Sequence, residues 1–280
     1  MKRILTIQDI SCFGKCSITI ALPVISAMGV EGVILPTALF STHTLFPDYK
    51  KISLSEQMMA FAEQWKNNGI KFDAIYTGYL GSIEEIDTVL SLVDMFRDEN
   101  TLVFVDPVMG DNGKLYAAFD MTFPPAMREL CTHADLIKPN MTEAALLLGE
   151  EYRPGPYTRE YVEGLLTRLA EATATRQIVL TGVYFDDREL GAATFDAETG
   201  EIAYILGKNV PGLYHGTGDV FGSALVGAMV RGLPLSEAVR AAVDFTVAAI
   251  CTTAKAGTDI RYGVNFEANL PVYMRALGIL

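Results

Sequence analysis

The chain has 280 residues, half of them hydrophobic and one-fifth charged, with a formal net charge of −12. That composition supplies a large core, and its acidic balance excludes a general nucleic-acid binder, which needs a basic face, without excluding nucleotides, whose phosphates Mg²⁺ bridges to carboxylates. No apolar run reaches bilayer length, and four cysteines (Cys12, Cys16, Cys131, Cys251) are too few for a disulfide framework, so a reduced cytoplasmic protein with no membrane partner is expected.

In chain order, the first apolar run, 4–8, reads as a strand and is broken by Gln8-Asp9 too early for a signal peptide. Further short apolar runs at 33–36, 74–78, 102–106, 136–138 and 177–181 also read as strands. Helical periodicity fills 54–68, 83–98, 142–149 and 159–172 between them. Trp65 and the Met58-Met59 pair fall on the first of these and read as core or interface residues. A hairpin follows, 192–195 and 202–206 around Glu198-Thr199-Gly200, and then helices over 219–231, about 236–255 and 265–277. Buried strands alternating with helices predict an α/β fold whose parallel sheet is covered on both faces. With no linker, low-complexity tract or repeat, a single domain spanning 1–280 is expected. Ligands on such sheets sit beyond the carboxyl ends of the strands, where the polar and glycine-rich segments of this chain fall.

The most informative segment is His215-Gly216-Thr217-Gly218-Asp219, at the mouth of the apolar helical pattern beginning near Asp219. Glycines permit turns in which N–H groups converge on an anion, and a helix N-terminus adds unpaired N–H groups and partial positive charge. Asp219 is either a helix cap or a proton acceptor beside that cradle. Asp106-Pro107-Val108-Met109-Gly110-Asp111 follows a strand and reads either as turn chemistry or as a hydrated Mg²⁺ site. Lys138-Pro139-Asn140-Met141-Thr142-Glu143 ends another strand. There Glu143 is either a first-turn acid favoured by the helix dipole or a partner of Asp111 in holding metal-bound water.

Ser41-Thr42-His43-Thr44 offers hydroxyls and an imidazole, and reads better as a hydrogen-bonding wall than as a hydrolase pair, because no G-x-S-x-G elbow occurs. Tyr79, after the third strand, stacks on a flat ligand ring or packs. Three tempting motifs fail. Cys12 and Cys16 lack the second pair a zinc site needs. Gly14-Lys15 lacks the first glycine and the Ser/Thr of a phosphate loop. Gly216, Gly218 and Gly222 miss the dinucleotide spacing by one residue.

Together these motifs resemble the ribokinase superfamily and, within it, the pyridoxal/pyridoxamine kinases. The carrying segments are Thr6-Ile7-Gln8-Asp9, Phe40-Ser41-Thr42-His43-Thr44, Thr77-Gly78-Tyr79, Asp106 to Asp111, Pro139 to Ala144 and Gly216 to Asp219, in family order. The resemblance implies a ribokinase-like three-layer sandwich, a mainly parallel central sheet flanked by helices, with a reduced lid. It further implies an ATP-dependent kinase acting on the hydroxymethyl group of pyridoxal, pyridoxine or pyridoxamine, using Mg²⁺ and a monovalent cation such as K⁺, as a homodimer.

Carried over, Asp219 is the general base, and Gly216, Thr217 and Gly218 form the anion hole. Asp111 and Glu143 are the Mg²⁺-proximal acids. Asn140, Lys138, Thr181 and Gly182 lie on the nucleotide side, and Ser41, His43, Thr44 and Tyr79 form the substrate wall. Asp9 stands where many relatives carry a ring-contacting serine, and Lys138 where many carry threonine. The lysine is expected either to neutralise phosphate or to be spent on an internal partner. The runner-up is a hydroxymethylpyrimidine (phosphate) kinase, which usually has cysteine in place of Asp219. A vitamer-binding pseudokinase is the reading from outside the enzymes.

Overall fold

The computed structural model describes residues Met1–Leu280. The chain begins with β1 (Arg3–Ser11), α1 (Ile18–Ala27), β2 (Glu31–Phe40), β3 (Lys51–Ser53), α2 (Ser55–Asn67) and β4 (Ala74–Thr77). It continues through α3 (Ile83–Phe96), β5 (Leu102–Val105), the two-residue strands β6 (Gly110–Asp111) and β7 (Lys114–Leu115), α4 (Phe123–Thr132), β8 (Leu136–Ile137) and α5 (Met141–Leu148). Next come α6 (Arg159–Thr173), β9 (Gln177–Val183), β10 (Glu189–Asp196), β11 (Glu201–Lys208), α7 (Thr217–Val230), α8 (Leu235–Ala256) and α9 (Leu270–Ala276). These elements group into two compact units: Met1–Gly78 with Val210–Leu280, and Tyr79–Asn209.

In the first unit the strand order is β4-β1-β2-β3. β1 runs parallel to β2 and β4, and β3 closes the edge antiparallel to β2. Ile4, Leu5 and Ile7 of β1 are fully buried, as a strand covered on both faces requires. Helices α1 and α7 pack together; α1 lies on β1 and β2, α7 touches β4, and α2 lies on β2.

In the second unit the order is β5-β8-β9-β10-β11, parallel through β9 and then antiparallel. Helices α4, α5 and α6 pack on one another, with α5 and α6 on β9. Parallel neighbours joined through helices are the βαβ arrangement, so strand ends and helix starts gather at one edge. The α/β class with mainly parallel strands is thus present in both units.

Several elements differ from the sequence reading: α4 and the short strands β3, β6 and β7 lie outside the runs read as helix or strand, and of the last predicted helix, 265–277, only Leu270–Ala276 is α-helical. Helix α1 carries no amphipathic stripe, because ITIALPVISA is apolar on every side, and Pro23 lies inside it. Strand β2 continues through Pro36 to Phe40, its register shifting beside that residue. Helix α7 begins at Thr217 with Gly216 as its cap, so Asp219 lies within the first turn and does not cap it.

Candidate active site

In the first unit the site is built where β1 ends and α7 begins. Gly216 adopts φ 82°, and a Cβ there would stand 2.7 Å from Ile20 Cδ1 and 2.8 Å from the Lys15 carbonyl, so both backbone conformation and space demand glycine. The first helical bond runs from Val220 N–H to Gly216 O at 2.9 Å. The N–H groups of Thr217, Gly218 and Asp219 therefore precede the helical ladder and suit an anion. The Thr217 hydroxyl donates to Tyr214 O at 3.1 Å and locks the loop entering the helix.

Asp219 is half-buried, and its Oδ2 accepts the Ser17 N–H at 2.9 Å. The Ser17 hydroxyl donates to Asp9 Oδ1 at 2.6 Å, and the Ser11 hydroxyl approaches Asp9 Oδ2 at 3.4 Å. Asp9 is 4% exposed; burial, with the Asp219 charge adding to it, pushes its carboxyl up to about 6 against the opposing Ser17 bond. Cys16, whose Sγ lies 3.3 Å from Ser17 Oγ, is pushed well up by burial and by the Asp219 and Asp9 charges, so its thiol stays protonated.

The loop after β2 packs on the turn after β1. His43 N–H donates to Phe13 O at 2.7 Å, and a Cβ on Gly14 would come within 2.7 Å of His43 Cβ. The His43 ring lies 5.2 Å from that of His215, and burial followed by that neighbour lowers its pKa to about 4. His43 is therefore neutral at pH 7, with Nδ1 accepting the Leu45 N–H at 3.2 Å. Ser41 spends its hydroxyl on the Lys50 N–H at 2.8 Å, closing the loop, and Thr44 is exposed. Of the expected substrate wall, His43 and Asp9 are thus buried side chains near the start of α7, whereas Ser41 serves the loop. A cavity of about 350 Å³ opens beside them, lined among others by Ser11, Cys12, Gly14, Lys15 and Tyr262. The Lys15 ammonium is held by Asn265 and Glu267, at 3.0 and 3.1 Å.

In the second unit, Asn140 caps α5 with a full capping box. Its Oδ1 accepts from the N–H groups of Thr142 and Glu143 at 2.8 and 2.9 Å, while Glu143 Oε2 accepts the Asn140 N–H at 2.8 Å. Asn140 Nδ2 donates to Gly110 O at 2.9 Å, and Glu143 Oε1 accepts the Met109 N–H at 3.2 Å. These bonds tie the 106–113 turn to the start of α5. Thr181 N–H donates to Pro139 O at 2.9 Å, placing its hydroxyl and Gly182 (φ 79°) beside Asn140.

Lys138 is spent on a partner: its Nζ lies 2.9 Å from Asp106 Oδ2, with side-chain exposures of only 5% and 2%. Burial, together with the Asp106 charge, pushes the Glu143 carboxyl well above the usual range, against the pull of Lys138. Asp111 lies on the exposed β6–β7 turn, its carboxylate accepting from Asn112, so it does not share hydrogen-bond partners with Glu143. Tyr79 packs its ring 5.8 Å from Phe119, which stacks on Phe123.

Two features were not identified as site elements from sequence. The Asp106–Lys138 pair follows from parallel register, since Val105 is opposite Ile137 and each charged residue comes next. Ser17 carried no signal beyond preceding an apolar run.

The phosphomethylpyrimidine kinase family model matches residues 12–263. The chain belongs to that family. A solved homologue of the family from Bacteroides thetaiotaomicron, in a crystal form with pyridoxal, is 34% identical, with a TM-score of 0.92 over 97% of this chain and 95% of that one. The pyridoxal kinase of Lactobacillus plantarum is 33% identical, with a TM-score of 0.90 over 98% and 97% of the two chains. The Dictyostelium discoideum pyridoxal kinase is 26% identical over 82% of this chain and 78% of its own. Both solved structures share the ribokinase-like α/β architecture described above. The chain is a kinase of this fold.

Proposed function

We propose that this protein is an ATP-dependent kinase that transfers the γ-phosphoryl group to the 5′-hydroxymethyl oxygen of pyridoxal, pyridoxine or pyridoxamine. The observation that carries the reading is Asp219, half-buried in the first turn of α7 behind the Gly216-Thr217-Gly218 N–H groups. Pyridoxal kinases among the relatives named above support the acceptor class. In the transfer, the acceptor oxygen bonds to phosphorus as the bond to ADP breaks, and the hydroxyl proton passes to Asp219. The transition state is loose, with charge on the equatorial oxygens, so N–H groups preorganised around that charge supply most of the rate gain.

A carboxylate at a helix N-terminus is a weakened base. It suffices where the proton moves late, after phosphorus–oxygen bonding has acidified the hydroxyl.

Asn140, Thr181, Gly182 and Lys138 are assigned to the nucleotide, Lys138 acting through its pair with Asp106. No cluster of three His, Cys, Asp or Glu side chains forms a self-sufficient metal site. Mg²⁺ arriving with phosphates needs only one or two carboxylates and water. Glu143, whose raised carboxyl a cation would draw into its ionised form, fits that demand beside the Asp106–Lys138 pair, with Asp111 on the neighbouring turn. Mg²⁺ supplies charge neutralisation on the phosphates when bound. Use of K⁺ and assembly as a homodimer follow from the family resemblance, and a cytoplasmic location from the cysteine usage; light scattering of the pure protein tests the dimer.

The deciding experiment measures ADP release at saturating MgATP with each of the three vitamers and with hydroxymethylpyrimidine. Turnover on a vitamer supports the reading. Turnover on hydroxymethylpyrimidine alone transfers the assignment to thiamine-type chemistry, and vitamer binding without ADP release makes the protein a carrier.

A further inference from the structure

Ser17 sits at the N-terminus of α1 with φ 50° and ψ −126°, a backbone conformation that L side chains rarely adopt. Non-glycine residues held there are over-determined by their surroundings, and such strain clusters at functional sites. What surrounds Ser17 is two acids. Its N–H donates to Asp219 Oδ2 at 2.9 Å and its hydroxyl to Asp9 Oδ1 at 2.6 Å, and Ser17 itself is 2% exposed. We propose that Ser17 is a positioning residue that fixes the Asp219 carboxylate through its backbone and links it through its hydroxyl to Asp9, whose charge tunes Asp219 as a base. The inference rests on the kinase reading above.

The chemistry supplies what the helix N-terminus removes. A helix N-terminus weakens a carboxylate as a base and a second carboxylate nearby strengthens it, because like charges disfavour joint ionisation, and Asp219 is placed where both act. The groups acting on Asp9 are Asp219 on α7 and the hydroxyls of Ser17 and Ser11; the thiol of Cys16 is pushed up by both acids and stays neutral. Asp9 titrates near 6 in this setting, so ionisation of Asp9 and strengthening of the base coincide.

The test uses full-length protein, with carboxyl ¹³C titration of Asp9 beside pH profiles of kcat/KM for pyridoxal. In the wild type, Asp9 titrates near 6 and kcat/KM rises through the same midpoint. Ser17→Gly keeps the N–H, relieves the backbone and removes the hydroxyl. It is expected to hold or raise the melting temperature, to lift the Asp9 midpoint by roughly half a unit or more, and to cut kcat about tenfold, or about 1.4 kcal/mol in barrier, with KM nearly unchanged. Ser17→Ala, which keeps the strain, shows the same midpoint shift, and Asp219→Asn lowers the midpoint.

A Ser17→Gly enzyme with wild-type kcat, pH profile and Asp9 midpoint overturns the link and leaves Ser17 a strained turn residue. A shift in only one of the two Ser17 variants assigns it to the backbone and also overturns the link. Should the wild type release no ADP with any vitamer, the functional reading fails separately. The Asp9 midpoints in Ser17→Gly and Asp219→Asn then still decide whether Ser17 joins the acids.

Discussion

The ammonium of Lys138 lies 2.9 Å from the Asp106 carboxylate at the ends of two adjacent parallel strands, both side chains almost completely shielded from water. Removing one partner leaves the other charge buried and uncompensated, which costs far more than the pair itself contributes. Lys138→Met is therefore expected to destabilise the protein by about 3–5 kcal/mol, whereas Lys138→Met combined with Asp106→Leu restores most of that loss. Urea unfolding of the single and double variants measures both.

The proposed base gives a sharper kinetic expectation. Asp219→Asn keeps an oxygen to accept the Ser17 N–H, so the fold is retained while proton acceptance is lost. A decrease in kcat of roughly 10²–10⁴ is expected, the usual span for a positioned base. Steady-state turnover and circular dichroism on the same preparation check it; near-wild-type turnover refutes the assignment of Asp219.

The Asn140 capping box separates stability from chemistry. Asn140→Ala removes the acceptor for two N–H groups of α5 and the Gly110 contact, and is expected to cost about 1 kcal/mol or somewhat more. Glu143→Gln keeps an oxygen for the Asn140 N–H but removes a carboxyl that bound Mg²⁺ would hold ionised. Its expected signature is a raised Mg²⁺ requirement, read by titrating Mg²⁺ against activity; an unchanged curve excludes Glu143 from metal binding.

Two buried groups give opposing pH terms. His43 falls from 6.5 to about 4 on folding, so the unfolded chain binds more protons between these values and stability rises with pH across that window. Asp9 rises from 3.8 to about 6, so the folded chain binds more protons there and stability falls with pH. Each effect is on the order of 3 kcal/mol at about 1.4 kcal/mol per unit, and the two largely cancel between pH 4 and 6. Relative to wild type between pH 4 and 6, His43→Gln should tilt the curve toward stability falling as pH rises, and Asp9→Asn toward stability rising, since the raised Glu143 carboxyl acts equally in all three proteins. Denaturant midpoints at several pH values decide the signs.

Much of each unit's candidate region was legible from residue order alone, because strand ends, glycines and acids coincide at Asp106 and Asn140 in one unit and at Gly216 in the other. What remained hidden depended on register or on backbone angle. The Lys138 pairing needs the alignment of β5 with β8, and nothing in the residue type of Ser17 reports a positive φ. Helix α1 escaped because a helix apolar on all sides leaves no period to detect, and it contains Pro23. The start of α7 was misplaced by two residues because aspartate is a common cap, whereas the turn preceding it needs the left-handed freedom of Gly216.

Helix α7 is seated by residues remote from the site in sequence. The Tyr273 hydroxyl of α9 donates to the Ala224 carbonyl of α7 at 2.6 Å and lies 2.9 Å from Met28 Sδ, and a Cβ on Gly227 would collide with that same methionine. The final helix thus serves as a doorstop for the helix carrying Asp219. A chain cut before Tyr273 would let that acid slide, so expression designs should leave the last helix in place and carry any affinity handle beyond it.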